Sequence, residues 1–109
     1  RDLAPVAEPL LKDESLIVRV RAAEFLGLIF KLDPQPVLTS VVNETSNPVE
    51  AAEALNSIVF FRDCSRQTYR IDPSTLKPKT KGDAITRRIN YLNGEPYKST
   101  KRKKKPKKK

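Results

Sequence analysis

The sequence predicts an all-α fold built from repeated helical hairpins, the unit of an α-solenoid. Three observations predict it. Apolar residues recur at three- and four-residue spacing through residues 1–62. Helix-start signals punctuate that pattern at Ser15, at Asp33-Pro34 and at Asn47-Pro48. The ten residues from Val20 to Ile29 align without gaps on those from Val49 to Ile58, 29 residues further on, and Val, Ala, Ala, Glu, Leu and Ile coincide at six of ten positions. The run from Ile58 to Phe61 has strand propensity, but it closes an Ala-rich helical stretch and reads as helix.

The first helix carries Leu3, Val6, Ala7, Leu10 and Leu11 at helical spacing. Pro5 fits a first turn, whereas Pro9 predicts a kink or a late start, because it has no N–H to donate. Lys12 to Ser15 form a loop, with Asp13 or Ser15 as the next N-cap. The second helix runs from about Leu16 to Leu32. Its stripe is Val18, Ala22, Phe25, Ile29 and Leu32, widened by Ile17, Val20, Ala23, Leu26 and Phe30. An arc that wide predicts neighbours on more than one side. Asp33 caps a third helix with Pro34 at its first position, and Val37, Leu38, Val41 and Val42 share a face. Asn47 caps the fourth, with Pro48 in its first turn and Glu50 in the capping-box position. Ala51, Ala52, Leu55, Ile58, Val59 and Phe61 face inward. The Ala pairs let a neighbouring helix approach closely.

Residues 63–97 are more polar and read as a segment capping the stack. They include a short helix near 83–93, capped by Asp83, with Ile85, Ile89 and Leu92 inward, Arg87 and Arg88 outward, and Gly94 as terminator. Residues 98–109 are a Lys-rich tail whose composition predicts disorder. The organisation is therefore two hairpins over 1–62, a capping segment over 63–97 and a tail over 98–109. Two hairpins are few for a solenoid, and the chain opens on Arg1 rather than Met, so further chain is expected before Arg1.

Charge sharpens this division. The chain has 22 basic and 13 acidic residues, net +9. Nine of the basic residues and none of the acids fall in 98–109, so residues 1–97 balance at 13 and 13. The folded part is thus not a basic nucleic-acid binder. With no His, a His-dependent triad or His metal site cannot be built from this chain alone. One Cys excludes an intrachain disulfide framework. No apolar run approaches the roughly 20 residues needed to span a bilayer, and no signal peptide is visible at this start.

Few side chains carry candidate chemistry. Cys64 lies between Arg62 and Arg66, cations that favour a thiolate, but no His is present to act as base and a structural Cys is expected. Arg19 and Arg21 flank the second helix and are expected to pair with Asp13, Glu14 or a neighbouring repeat. Glu50 and Glu53 share a face but lack a third partner for a metal. Tyr69, Tyr91 and Tyr97 are expected to pack rather than to stack bases. The reading assigns no catalytic, cofactor-binding or metal-binding residue to this chain.

The stretch from Leu10 to Gly27 resembles the HEAT repeat family: Leu10-Leu11, then Asp13, Val18-Arg19, Ala22-Ala23 and Leu26-Gly27. In that family an Asp and an Arg form a ladder between repeats, and Asp13 and Arg19 match those positions. The second copy departs, with Asn47 near the Asp place and Glu50 where a basic residue would stand. Together with Ala54 to Ile58 and the polar segment that follows, the chain over residues 3–97 resembles the C-terminal extension of bacterial sulfatases of the arylsulfatase and heparan N-sulfatase type. The resemblance implies an exported, periplasmic or secreted, calcium-dependent parent hydrolase. Its formylglycine would arise from a Cys/Ser-x-Pro-x-Arg motif. Cys64-Ser65-Arg66-Gln67-Thr68 does not fit that motif, so the active site is expected upstream of Arg1, in a catalytic domain on which this helical module packs.

The alternative is a free-standing HEAT-like scaffold that binds another protein. The tail is the candidate polyanion contact through Lys101, Arg102, Lys103, Lys104, Lys105, Lys107, Lys108 and Lys109. Sulfated or other polyanions are the expected ligands, a nuclear localisation signal is the reading for a nuclear protein, and a solvating tail is the plainest.

Overall fold

A computed structural model describes residues 4–95 of the chain. Among the described residues the fold is all-helical, with five α-helices and no strand: α1 (Ala4–Ala7), α2 (Leu16–Ile29), α3 (Gln35–Glu44), α4 (Pro48–Asp63) and α5 (Asp83–Leu92). Two short 3-10 turns join them, Glu8–Lys12 after α1 and Pro73–Thr75 before α5.

Local chemistry explains most of the boundaries. Pro9 falls where α1 gives way to the 3-10 turn, as its missing N–H requires. Asp13 and Ser15 share the start of α2. The Ser15 N–H donates to the Asp13 carboxylate at 2.9 Å, and the Val18 N–H donates to Ser15 Oγ at 3.4 Å. Asn47 caps α4 by accepting from the Val49 N–H at 2.9 Å. At the end of α5, Gly94 takes φ +99°, its N–H donates to the Tyr91 carbonyl, and the Glu95 N–H donates to that of Asn90. That pair of bonds is a Schellman motif.

Four expectations are corrected. Helix α2 stops at Ile29, not Leu32, because Lys31 turns to φ +58° and the Leu32 N–H folds back on the Leu26 carbonyl at 3.2 Å. Helix α3 begins one residue late: Pro34 takes the N-cap place, and Asp33 accepts from the Gln35 N–H at 2.9 Å. Glu50 does not close a capping box on Asn47. It accepts instead from Thr45 Oγ1 at 2.8 Å, and Thr45 Oγ1 accepts the Asn47 N–H at 3.0 Å. Helix α5 is preceded by Gly82, and Asp83 is its first residue, where a carboxylate still meets the positive end of the helix dipole.

The core lies between α2, α3 and α4. Val20, Leu38, Val41, Val42, Ala51, Ala54, Leu55 and Ile58 are wholly buried there. Helices α3 and α4 form a hairpin, α2 packs on both, and α5 covers the opposite flank of α4. Gly27 sets the α2–α4 approach. A Cβ added there would stand 2.8 Å from Phe61 Cε1 and 3.0 Å from Pro34 Cγ. Between α4 and α5 the chain is pinned to the core. The Tyr69 ring lies edge-on to Phe61 with centroids 6.0 Å apart. The buried Gln35 amide donates to the carbonyls of Ile58 (3.1 Å) and Tyr69 (3.2 Å). Asn43 clamps the end of the Pro73–Thr75 turn by donating to the Thr75 carbonyl and accepting from the Lys77 N–H.

The repeated ten residues do not occupy equivalent surroundings. Ala22 and Ala51 are both buried, as are Leu26 and Leu55. Val20, however, is wholly buried where Val49 is 64% exposed, and Ile29 is 60% exposed where Ile58 is wholly buried. The neighbours differ: α4 is flanked by α2, α3 and α5, whereas among the described residues α2 has the one-turn α1 and its 3-10 extension on its outer side.

Candidate docking face and candidate side-chain sites

The outer side of α2 is the largest departure from the expected core. Phe25, Ile29 and Leu32, three of the five stripe residues, are exposed, and the helix buries the Val20, Ala23 and Leu26 arc instead. With Val6, Leu10, Val18 and Ala22, Phe25 lines an apolar groove of about 390 Å³ between α1 and α2. Val6 is 68% exposed, and Ile29 and Leu32 carry exposed apolar side chains toward the end of α2. Among the described residues, Arg21 is the one charged side chain lining the groove. Exposed apolar patches of sufficient size mark interaction sites.

Polar side chains cross from α2 to α3 and α4 on the neighbouring face. Arg19 donates to the Asp13 carbonyl and pairs with Glu44 of α3 at 2.7 Å. Arg21 bridges Glu24 (3.2 Å) and Glu53 (2.7 Å), the two glutamates that correspond in the repeat. Ser57 Oγ donates to the Glu24 carboxylate. The Asp13 carboxylate faces its own turn, and it is the Asp13 backbone that meets Arg19. Burial works against the Arg21 charge, but the two carboxylates outweigh it and hold the guanidinium above its ordinary pKa.

A second network joins α4 to α5. Arg62 pairs with Asp63 at 2.7 Å, and its guanidinium lies 5.1 Å from the Tyr91 ring centroid. The Tyr91 hydroxyl donates to Asp63 at 2.9 Å. The hydrogen bonds from Arg62 first, and that from Tyr91, hold the Asp63 carboxyl below the usual aspartate value. Arg88, expected outward, is half-buried and folds back to donate to Asn56 Oδ1 and the Ala84 carbonyl, because α5 lies directly against α4. Tyr69 is buried with its hydroxyl toward the Gly27 carbonyl at 3.4 Å, and desolvation raises its pKa.

Cys64 is a free, exposed thiol at the end of α4. Among the described residues no group of three His, Cys, Asp or Glu could hold a metal ion. No helix among them is long and apolar enough to cross a membrane. Tyr97 and the polyanion candidates Lys101, Arg102, Lys103, Lys104, Lys105, Lys107, Lys108 and Lys109 lie outside the described residues. Sequence reasoning missed the exposure of Phe25 and Ile29. The signal that could have found it was the brevity of a first helix broken at Pro9.

The class of protein that the fold defines is a small all-α helical domain. Comparison with known proteins found no matching family model, no matching curated protein and no matching solved structure.

Proposed function

We propose that this chain is a non-catalytic helical docking module that packs on another folded protein through the outer face of α2. One observation carries the reading: Val6, Leu10 and Phe25 are exposed and line one apolar groove between α1, its 3-10 extension and α2. The HEAT-type hairpin is the unit this reading extends, and the sulfatase-type catalytic domain implied by the sequence resemblance is the host it favours. Calcium and formylglycine would then belong to that host domain, with no residue of this chain assigned to either. A free-standing scaffold uses the same face on a separate protein.

Two measurements test it. Replacing Phe25 and Ile29 together by Ser is expected to leave the unfolding free energy within about 1 kcal/mol of wild type, as for surface sites, while abolishing binding of an apolar dye such as ANS. A collapse of the fold, or no dye binding by the wild type, would overturn the docking face. The coding sequence upstream of Arg1 tests the host. A Cys/Ser-x-Pro-x-Arg domain there supports a sulfatase, and its absence leaves the scaffold.

A further inference from the structure

We infer that the cavity between the C-terminal ends of α2 and α4 is a binding site for small organic phosphates. The cavity has a volume of about 630 Å³ and is lined in part by Leu28, Lys31, Phe60, Cys64, Arg66 and Gln67. That is within the size range of small-molecule sites. Two cations and an amide line it, and among the described residues no acidic side chain does. Phe60, 40% exposed, and Leu28 give an apolar wall beside the charged one. The ligand class follows: an anionic group between Lys31 and Arg66, with a planar apolar body against Phe60.

Helix C-termini ordinarily present carbonyls that repel anions. Here two of the last four carbonyls of each helix are occupied. The Phe60 carbonyl accepts from the N–H groups of Cys64 (2.7 Å) and Ser65 (3.0 Å), and that of Phe61 accepts from Tyr69 N–H at 2.8 Å. The Leu26 carbonyl accepts from Phe30 and Leu32, and that of Gly27 from the Tyr69 hydroxyl. The nearby Asp63 carboxylate is held by Arg62 and Tyr91 on the α5 side. A second observation points to Lys31 itself. It stands at φ +58°, a conformation that glycine adopts at less cost, so the chain places a cation at the lip of the cavity in a backbone state that disfavours it.

The test uses the full chain and a residue-resolved readout, because residues 98–109 also attract anions. Phenyl phosphate, up to about 20 mM, is titrated by amide NMR at low salt, with inorganic phosphate as comparison. Saturable shifts at Lys31 and at residues 64–67, with tighter binding of phenyl phosphate, are expected. Lys31→Gly and Arg66→Ala should each weaken binding about twofold to fivefold, the range for one solvent-accessible charged contact. Lys81→Ala, which removes a charge elsewhere, should not. Lys31→Gly is also expected to fold at least as stably as wild type, which separates loss of binding from loss of fold. Shifts confined to residues 98–109, no saturable shift at all, or equal binding by the Lys31 and Arg66 variants would overturn the site.

Discussion

Lys31 and Asp63 show how much single residues carry. At Lys31 the left-handed backbone costs a non-glycine residue about 1 kcal/mol. Lys31→Gly is therefore expected to raise stability by up to about 1 kcal/mol, the flexibility of glycine in the unfolded chain offsetting part of the gain. Urea denaturation checks it. Asp63 acts through ionisation. Its folded pKa is depressed by Arg62 and Tyr91, so its contribution is fully present above the unfolded value of about 3.9 and is lost as pH falls through the folded value. The stability gap between wild type and Asp63→Asn should be constant from neutral pH down to about pH 5 and shrink below about pH 4. Thermal melts across that range read it. A gap that widens on acidification would show that another group holds the α4–α5 contact.

Between helices, the decisive position is Gly27. Phe61 is 1% exposed and cannot swing away from a methyl group placed 2.8 Å from its ring. Gly27→Ala is expected to destabilise by about 1–3 kcal/mol, the usual cost of overpacking, although alanine is the better helix former. A neutral effect in chemical denaturation would mean that α2 and α4 slide easily. Element starts were legible where a side chain caps its own helix: Ser15 and Asn47 stand where their oxygens are needed, and Gly94 closes α5. The inward face of α2 was not. Its apolar arc runs round most of the helix, so the buried side depends on which neighbours are long enough to cover it. Pro9 shortens α1, and Phe25 and Ile29 stay exposed while Val20 and Leu26 are enclosed. The cavity of Lys31 and Arg66 was also unreadable, because it joins two helix ends 35 residues apart with no spacing that announces it.

Across the molecule, charge is divided rather than spread. Residues 1–97 balance 13 basic against 13 acidic residues, and residues 98–109 hold nine cations. In the folded part Arg19, Arg21 and Arg62 are already engaged by carboxylates. Association with a polyanion should therefore depend on the tail and on released counterions, and fall steeply with salt. The full chain is expected to be retained on a heparin column at low salt and to elute early once salt shortens the screening length toward about 8 Å. A chain ending at residue 97 should pass through unretained. Its balanced charge gives it no net attraction for a polyanion at a distance, although the Lys31–Arg66 cavity would still take a small phosphate. Retention of the shortened chain would place the attraction in the folded part instead. Arg66→Ala in that background would then show whether the same cavity holds the polymer.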